Sequence, residues 1–158
     1  MSEYRPIEGN FNPENARFAI VVSRWNGAIT ENLLAGALRA LARHGVADTA
    51  IQVVRVPGAF ELPLAARKIA MLGWIDAIIA LGCVIRGGTP HFEYVCSECT
   101  RGVGDVALTT GVPVAFGVLT TDNLIQAQER SGAGGENKGE EAALTALEMV
   151  SLIRQLQG

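Results

Sequence analysis

"IDAIIALGCVIRGGTPH" occupies residues 75–91, and its reading decides the fold. "IDAIIAL" shows no polar–apolar alternation, so it reads as a strand covered on both faces. "RGGTPH" (residues 86–91) ends the apolar run with two glycines, a threonine and a proline. A stretch with helical spacing follows, expected from about His91 to Thr109. A buried strand feeding a helix through a glycine turn is the pattern of a parallel sheet.

The pattern repeats on both sides. "RFAIVVS" (17–23) reads as a first strand. Leu33, Leu34, Ala37, Leu38 and Leu41 then recur at helical spacing, and Gly45 stops that helix. "AIQVVRV" (50–56) is a second strand, broken by Pro57 and Gly58. Pro63 suits a first helical turn, and "LAARKIAML" carries that helix to Gly73. "VPVAFGV" (112–118) is the fourth strand. "TTDN" offers an N-cap, and a helix of about eight residues, about 12 Å long, runs to Arg130. "SGAGGENKG" (131–139) is a loop. A last helix, from about Glu140 to Leu156, buries Ala143, Leu147, Val150 and Ile153. The order β-α-β-α-β-α-β-α-α predicts a three-layer α/β/α sandwich, flavodoxin-like, around a parallel sheet of four strands. The expectation is one domain over 1–158, with residues 1–16 as an extended arm.

Composition narrows the function classes. Nearly half of the 158 residues are apolar and 18% are charged, so either the core is large or surface is buried against other copies. A net charge of −3 argues against nucleic acid. No apolar run approaches the roughly 20 residues of a membrane span, and "MSEYRPIEGNFNPEN" has no signal-peptide core. Three cysteines, Cys83, Cys96 and Cys99, form no disulfide framework. The expected protein is cytoplasmic, with no membrane partner.

Ligands of such sheets bind beyond the carboxyl ends of the strands. That rule selects "RWN", "VPGAFE" and "CVIRGGTPH". Gly87, Gly88 and Thr89 precede a helix start, where unpaired N–H groups and the dipole favour a phosphate; equally, the turn needs only glycine's conformations. His91, in the first turn, sits where a cation is disfavoured; it is either a packing residue or a base that takes and returns a proton. Trp25 and Phe60 are core aromatics or flat faces for a planar heterocycle. Glu61 is a cap or an acceptor for a polyol. His44 suits a helix C-terminus. Cys96 and Cys99, one turn apart inside a helix, read as ordinary helix residues. By its antiparallel run, the helix before Arg130 should carry that residue to the sheet edge opposite "RGGTPH". If Arg130 and Lys138 serve a ligand at all, it must then be that of a neighbouring copy.

"SRWNGAIT", "VPGAFELP", "LGCVIRGGTPHFEYV", "GVPVAFGVLTTDN" and "ERSGAGGENKGEEAA", in this order, resemble the 6,7-dimethyl-8-ribityllumazine synthases of riboflavin biosynthesis. The likeness runs from about Gly9 onward. It implies a cofactor-free transferase with two small-molecule substrates, 5-amino-6-(D-ribitylamino)uracil and 3,4-dihydroxy-2-butanone 4-phosphate. By the same resemblance, Trp25 stacks on the pyrimidine, Ala59, Phe60 and Glu61 flank the ring and ribityl chain, and Cys83, Val84 and Ile85 contact the ring. Gly88 and Thr89 hold the phosphate, and His91 transfers protons. Phe116, Arg130 and Lys138 come from the adjacent subunit, with Arg130 on the phosphate. No metal is implied. The resemblance further implies homo-oligomers built from pentamers. The short loop favours the sixty-subunit icosahedral cage, in which a riboflavin synthase is a partner the family allows. Three residues depart from the usual pattern: Cys83 for threonine, Pro90 for a small residue before His91, and Trp25 for the phenylalanine of many members. The alternative is a flavin- or lumazine-binding carrier, or a shell protein, on the same scaffold.

Overall fold

Four strands form among the described residues: β1 (Phe18–Ser23), β2 (Ile51–Val56), β3 (Ala77–Ile85) and β4 (Val114–Thr121). They alternate with α1 (Gly27–Arg43), α2 (Leu62–Ala70) and α3 (His91–Thr110), and are followed by α4 (Leu124–Glu129) and α5 (Lys138–Leu156). The structure is a computed structural model that describes residues 3–132 and 135–158. Residues 1–2 of the expected arm and 133–134 of the expected loop lie outside the described residues.

All strand pairs are parallel, in the order β2-β1-β3-β4. The chain steps outward from β1 to β2, then crosses back to place β3 on the other side of β1. Strand order therefore reverses between β1 and β3, the expected flavodoxin-like arrangement, and a crevice opens there.

Side-chain alternation divides the core into two layers. Phe18, Ile20 and Val22 of β1, with Ile79 and Leu81 of β3, face α1 and α5. Ala19 and Val21, with Ile78 and Ala80, face α2 and α3. Each central strand is buried on both faces, which is why it reads as a continuous apolar run. Leu33, Ala37 and Leu41 of α1 are fully buried and Leu38 half-buried; Ile153 of α5 is half-buried too.

Boundaries moved where pairing outran pattern. β3 extends to Ile85 and β4 to Thr121, because their ladder continues to the rung Ile85↔Thr121. α4 is one turn and a half, shorter than expected. α5 begins at Lys138 because the Asn137 side chain accepts from the Glu140 N–H at 3.0 Å. Gly45 and Gly73 do stop their helices, at φ +83° and +85°. Residues 3–17 form no helix or strand. They run along α5, where Asn10 N–H donates to Ser151 Oγ (3.0 Å) and Gln155 Nε2 to the Glu8 carbonyl (2.7 Å). No described helix is long and apolar enough to cross a membrane.

Candidate active site

The β1–β3 crevice holds a cleft of about 540 Å³, within the range of small-molecule sites. Its walls come from four places in the chain. Trp25 and Asn26 follow β1. Gly58, Ala59, Phe60 and Glu61 follow β2. Cys83, Val84 and Ile85 end β3, and His91, Tyr94 and Val95 open α3.

Each wall has a local cause. After β1 the chain stays paired with β2: Arg24 N–H donates to the Val56 carbonyl (2.8 Å) and Trp25 N–H to that of Pro57 (3.0 Å). This lays the Trp25 ring against Gly58, where any Cβ would overlap it. Asn26 turns the chain into α1 at φ +59°, a conformation asparagine tolerates better than most residues. Its Nδ2 donates to the Cys83 carbonyl at 2.9 Å. Glu61 Oε1 accepts from Gly58 N–H at 2.9 Å and so holds the turn after β2. The capping role of Glu61 is therefore real.

The end of β3 contributes backbone. β1 pairs with β3 only as far as Val22↔Leu81, while β3 runs four residues further. The N–H and C=O of Cys83 and Ile85 point to the side β1 has vacated, since backbone direction alternates along a strand. One of these groups takes the Asn26 bond. The others form a strip of donors and acceptors suited to the edge of a planar amide-bearing ring.

The exposed faces are aromatic. Trp25 is 63% exposed, Phe60 56% and Tyr94 75%, unusual for such large rings unless a ligand or another chain covers them. His91, the first residue of α3, is exposed at the cleft wall, and its side chain makes no hydrogen bond to the described residues. Burial pushes the Cys83 thiol up to about 11 and the Cys99 thiol likewise to about 11. The Cys96 thiol is raised as well, by burial and then by Glu93. The C-x-x-C pair therefore has no activated thiolate, in agreement with its place inside α3. His44 caps α1 and packs on Phe11, ring centroids 5.8 Å apart. Among the described residues no three His, Cys, Asp or Glu side chains gather to hold a metal ion.

The structure thus brings together Trp25, Ala59, Phe60, Glu61, Cys83, Val84, Ile85 and His91. Gly88 and Thr89 lie exposed on the loop between Ile85 and His91, beside the cleft but not in its wall. Phe116, Arg130 and Lys138 are elsewhere. Phe116 is half-buried on β4, opposite Ala80. Arg130 and Lys138 share a second cleft of about 260 Å³ with Thr120, Thr121, Gln126 and Glu136. The Lys138 N–H donates to the Arg130 carbonyl at 2.9 Å, which keeps the two cations adjacent.

One geometric expectation needs correction. Arg130 is not carried to the opposite end of the sheet. α4 has six residues, about 9 Å, so Arg130 stays level with residues 118–121, in the carboxyl half of β4. What separates it from the β1–β3 crevice is lateral: its cleft borders β4, an edge strand, and shares no lining residue with the first. Sequence reasoning reached Asn26 and Gly58 within the selected stretches but gave neither a role, and it missed Tyr94 and Val95. Tyr94 and Val95, three and four residues after His91, were available from helical spacing. Gly58 carried no signal without knowledge of the ring above it.

A family model described as 6,7-dimethyl-8-ribityllumazine synthase matches residues 15–154, nearly the whole chain.

Proposed function

Because the chain belongs to the 6,7-dimethyl-8-ribityllumazine synthase family, transferases of riboflavin biosynthesis, we propose that its β1–β3 cleft condenses 5-amino-6-(D-ribitylamino)uracil with 3,4-dihydroxy-2-butanone 4-phosphate. The observation that carries this reading is the convergence of two exposed aromatic faces, an unpaired backbone strip, a half-buried carboxylate and a histidine on one crevice. Trp25 and Phe60 stack on the pyrimidine. The backbone of Cys83 and Ile85 reads its edge, and Glu61 accepts from ribityl hydroxyls. Gly88 and Thr89 hold the phosphate ester.

The pyrimidine supplies its own nucleophile. Its 5-amino group attacks the ketone and loses water to give an imine. Removal of a proton beside the imine expels inorganic phosphate. The enol left behind takes a proton at its terminal carbon to become a methyl ketone, and the ribityl-bearing nitrogen closes the second ring on that new carbonyl carbon, with loss of a second water. His91 takes and returns these protons, worth about 10² to 10⁴ in rate. Alignment of the two substrates contributes more. An adjacent copy supplies Phe116, Arg130 and Lys138. Support for this comes from the position of β4 at the sheet edge and from exposed apolar side chains, Leu108 of α3 and Ile125 of α4 among them, of the kind that assembly into pentamers would cover.

Incubating the protein with both substrates tests the proposal. Lumazine absorbance should rise in step with phosphate release, one for one. Binding of riboflavin without any phosphate release would instead support a carrier and overturn the enzyme reading.

A further inference from the structure

Arg86 stands where β3 ends and the loop to His91 begins. Its backbone N–H donates to the Thr121 carbonyl at 2.8 Å, just beyond the last β3–β4 rung. Its side chain lines neither cleft. The guanidinium donates from Nε to Asp122 Oδ1 (2.9 Å) and from Nη1 to Glu93, and it lies over the Phe92 ring, 4.4 Å from the centroid. These partners belong to two elements. Phe92 and Glu93 are in the first turn of α3, directly after His91, and Asp122 is in the turn that leads into α4 and Arg130.

The loop between has few ties of its own. Residues 87–90 are all exposed, and a Cβ on Gly87 or Gly88 would meet nothing. Neither glycine has positive φ, so backbone strain does not explain them. The loop is therefore placed by its two ends, and the Arg86 side chain joins one end to the other. A single exposed ion pair would contribute little, but here one planar fork meets two carboxylates and a ring. Hydrogen bonds to Asp122 and then Glu93 hold the Arg86 guanidinium above its ordinary value, and the Arg86 bond holds the Glu93 carboxyl below its own. Two carboxylates against one cation also leave this cluster a poor anion receptor.

We propose that Arg86 is a positioning residue of the condensation: it clasps residues 87–90 and His91 against the cleft and ties them, through Asp122, to the turn leading to Arg130. This rests on the function proposed above. It is tested with Arg86→Gln, Arg86→Lys and the double variant Glu93→Gln/Asp122→Asn, each checked for assembly by native mass. Amide hydrogen exchange over 87–95, kcat, the KM of each substrate and inhibition by inorganic phosphate are compared with the parent protein. In Arg86→Gln, exchange in the loop should speed up and kcat should fall roughly tenfold to a hundredfold, as expected for misplacement of about an ångström. The KM of the uracil substrate should hardly change. The carboxylate double variant should reproduce both effects, because it opens the same clasp from the other side, and Arg86→Lys should fall between. Unchanged loop exchange and kcat in both Arg86→Gln and the double variant would overturn the inference. So would weaker phosphate inhibition in Arg86→Gln alone, which would make Arg86 a phosphate ligand. If the parent protein makes no lumazine, the functional reading fails, while the exchange data still judge the clasp.

Discussion

Packing does not explain His91: its imidazole is exposed at a cleft wall, with no partner among the described residues. His91→Ala is expected to lower kcat by about 10² to 10⁴ with assembly intact, measured by steady-state kinetics and native mass. The cysteines make a contrasting prediction. Burial holds Cys83 and Cys99 protonated to about 11 in the fold. Above the ordinary thiol value of 9.0 the unfolded chain releases protons that the fold keeps. The stability these thiols contribute is therefore complete below pH 9.0 and falls as pH rises towards about 11. Native protein at pH 8 should resist alkylation at both residues while unfolded protein reacts at all three cysteines; peptide mass mapping checks this. Fast native labelling of Cys83 would mean that the end of β3 is more open than the structure has it. In the sequence, the rule of strand ends reached Cys83 within "CVIRGGTPH", but only the resemblance gave it a role, since a strand cysteine carries no mark of its own.

At the scale of elements, the junction of α4 and α5 depends on Asn137. This side chain is 3% exposed, accepts from Glu140 N–H (3.0 Å), and donates to the carbonyls of Asn32 (3.1 Å) and Gly132 (3.2 Å). It sits against Gly36 of α1, where a Cβ would overlap it, and Gly139 lies equally close to the Leu33 carbonyl. Asn137→Ala strands buried partners and should cost about 1–3 kcal/mol for each left unsatisfied, read as a lower thermal midpoint. It should also loosen the pairing of Arg130 with Lys138. Gly139→Ala should destabilise too, by forcing α1 and α5 apart. Helix spacing made both helices legible in the sequence. Their close approach was not, because an isolated glycine on a helix face reads as a weakness until a second backbone is seen against it.

At the scale of the whole molecule, the proposed site needs two copies, and a mixing experiment tests that directly. His91→Ala and Arg130→Ala subunits should each be slow alone. Co-assembled in equal amounts, they should recover activity, with roughly a quarter of the sites intact if neighbours in the ring are random. No recovery after dissociation and reassembly would defeat the shared site. Alternation of helix and strand, apolar runs covered on both faces, and turns marked by glycine and proline determined the fold class and the crevice residues from sequence alone, because these depend on local periodicity and on the rule that ligands gather where strands end. Only the tertiary structure decided how far β3 outruns β1, which backbone groups that leaves unpaired, that Arg130 stays beside β4, and that Arg86 joins three elements. Those facts depend on register and close approach between segments far apart in the chain, and local pattern carries no record of either.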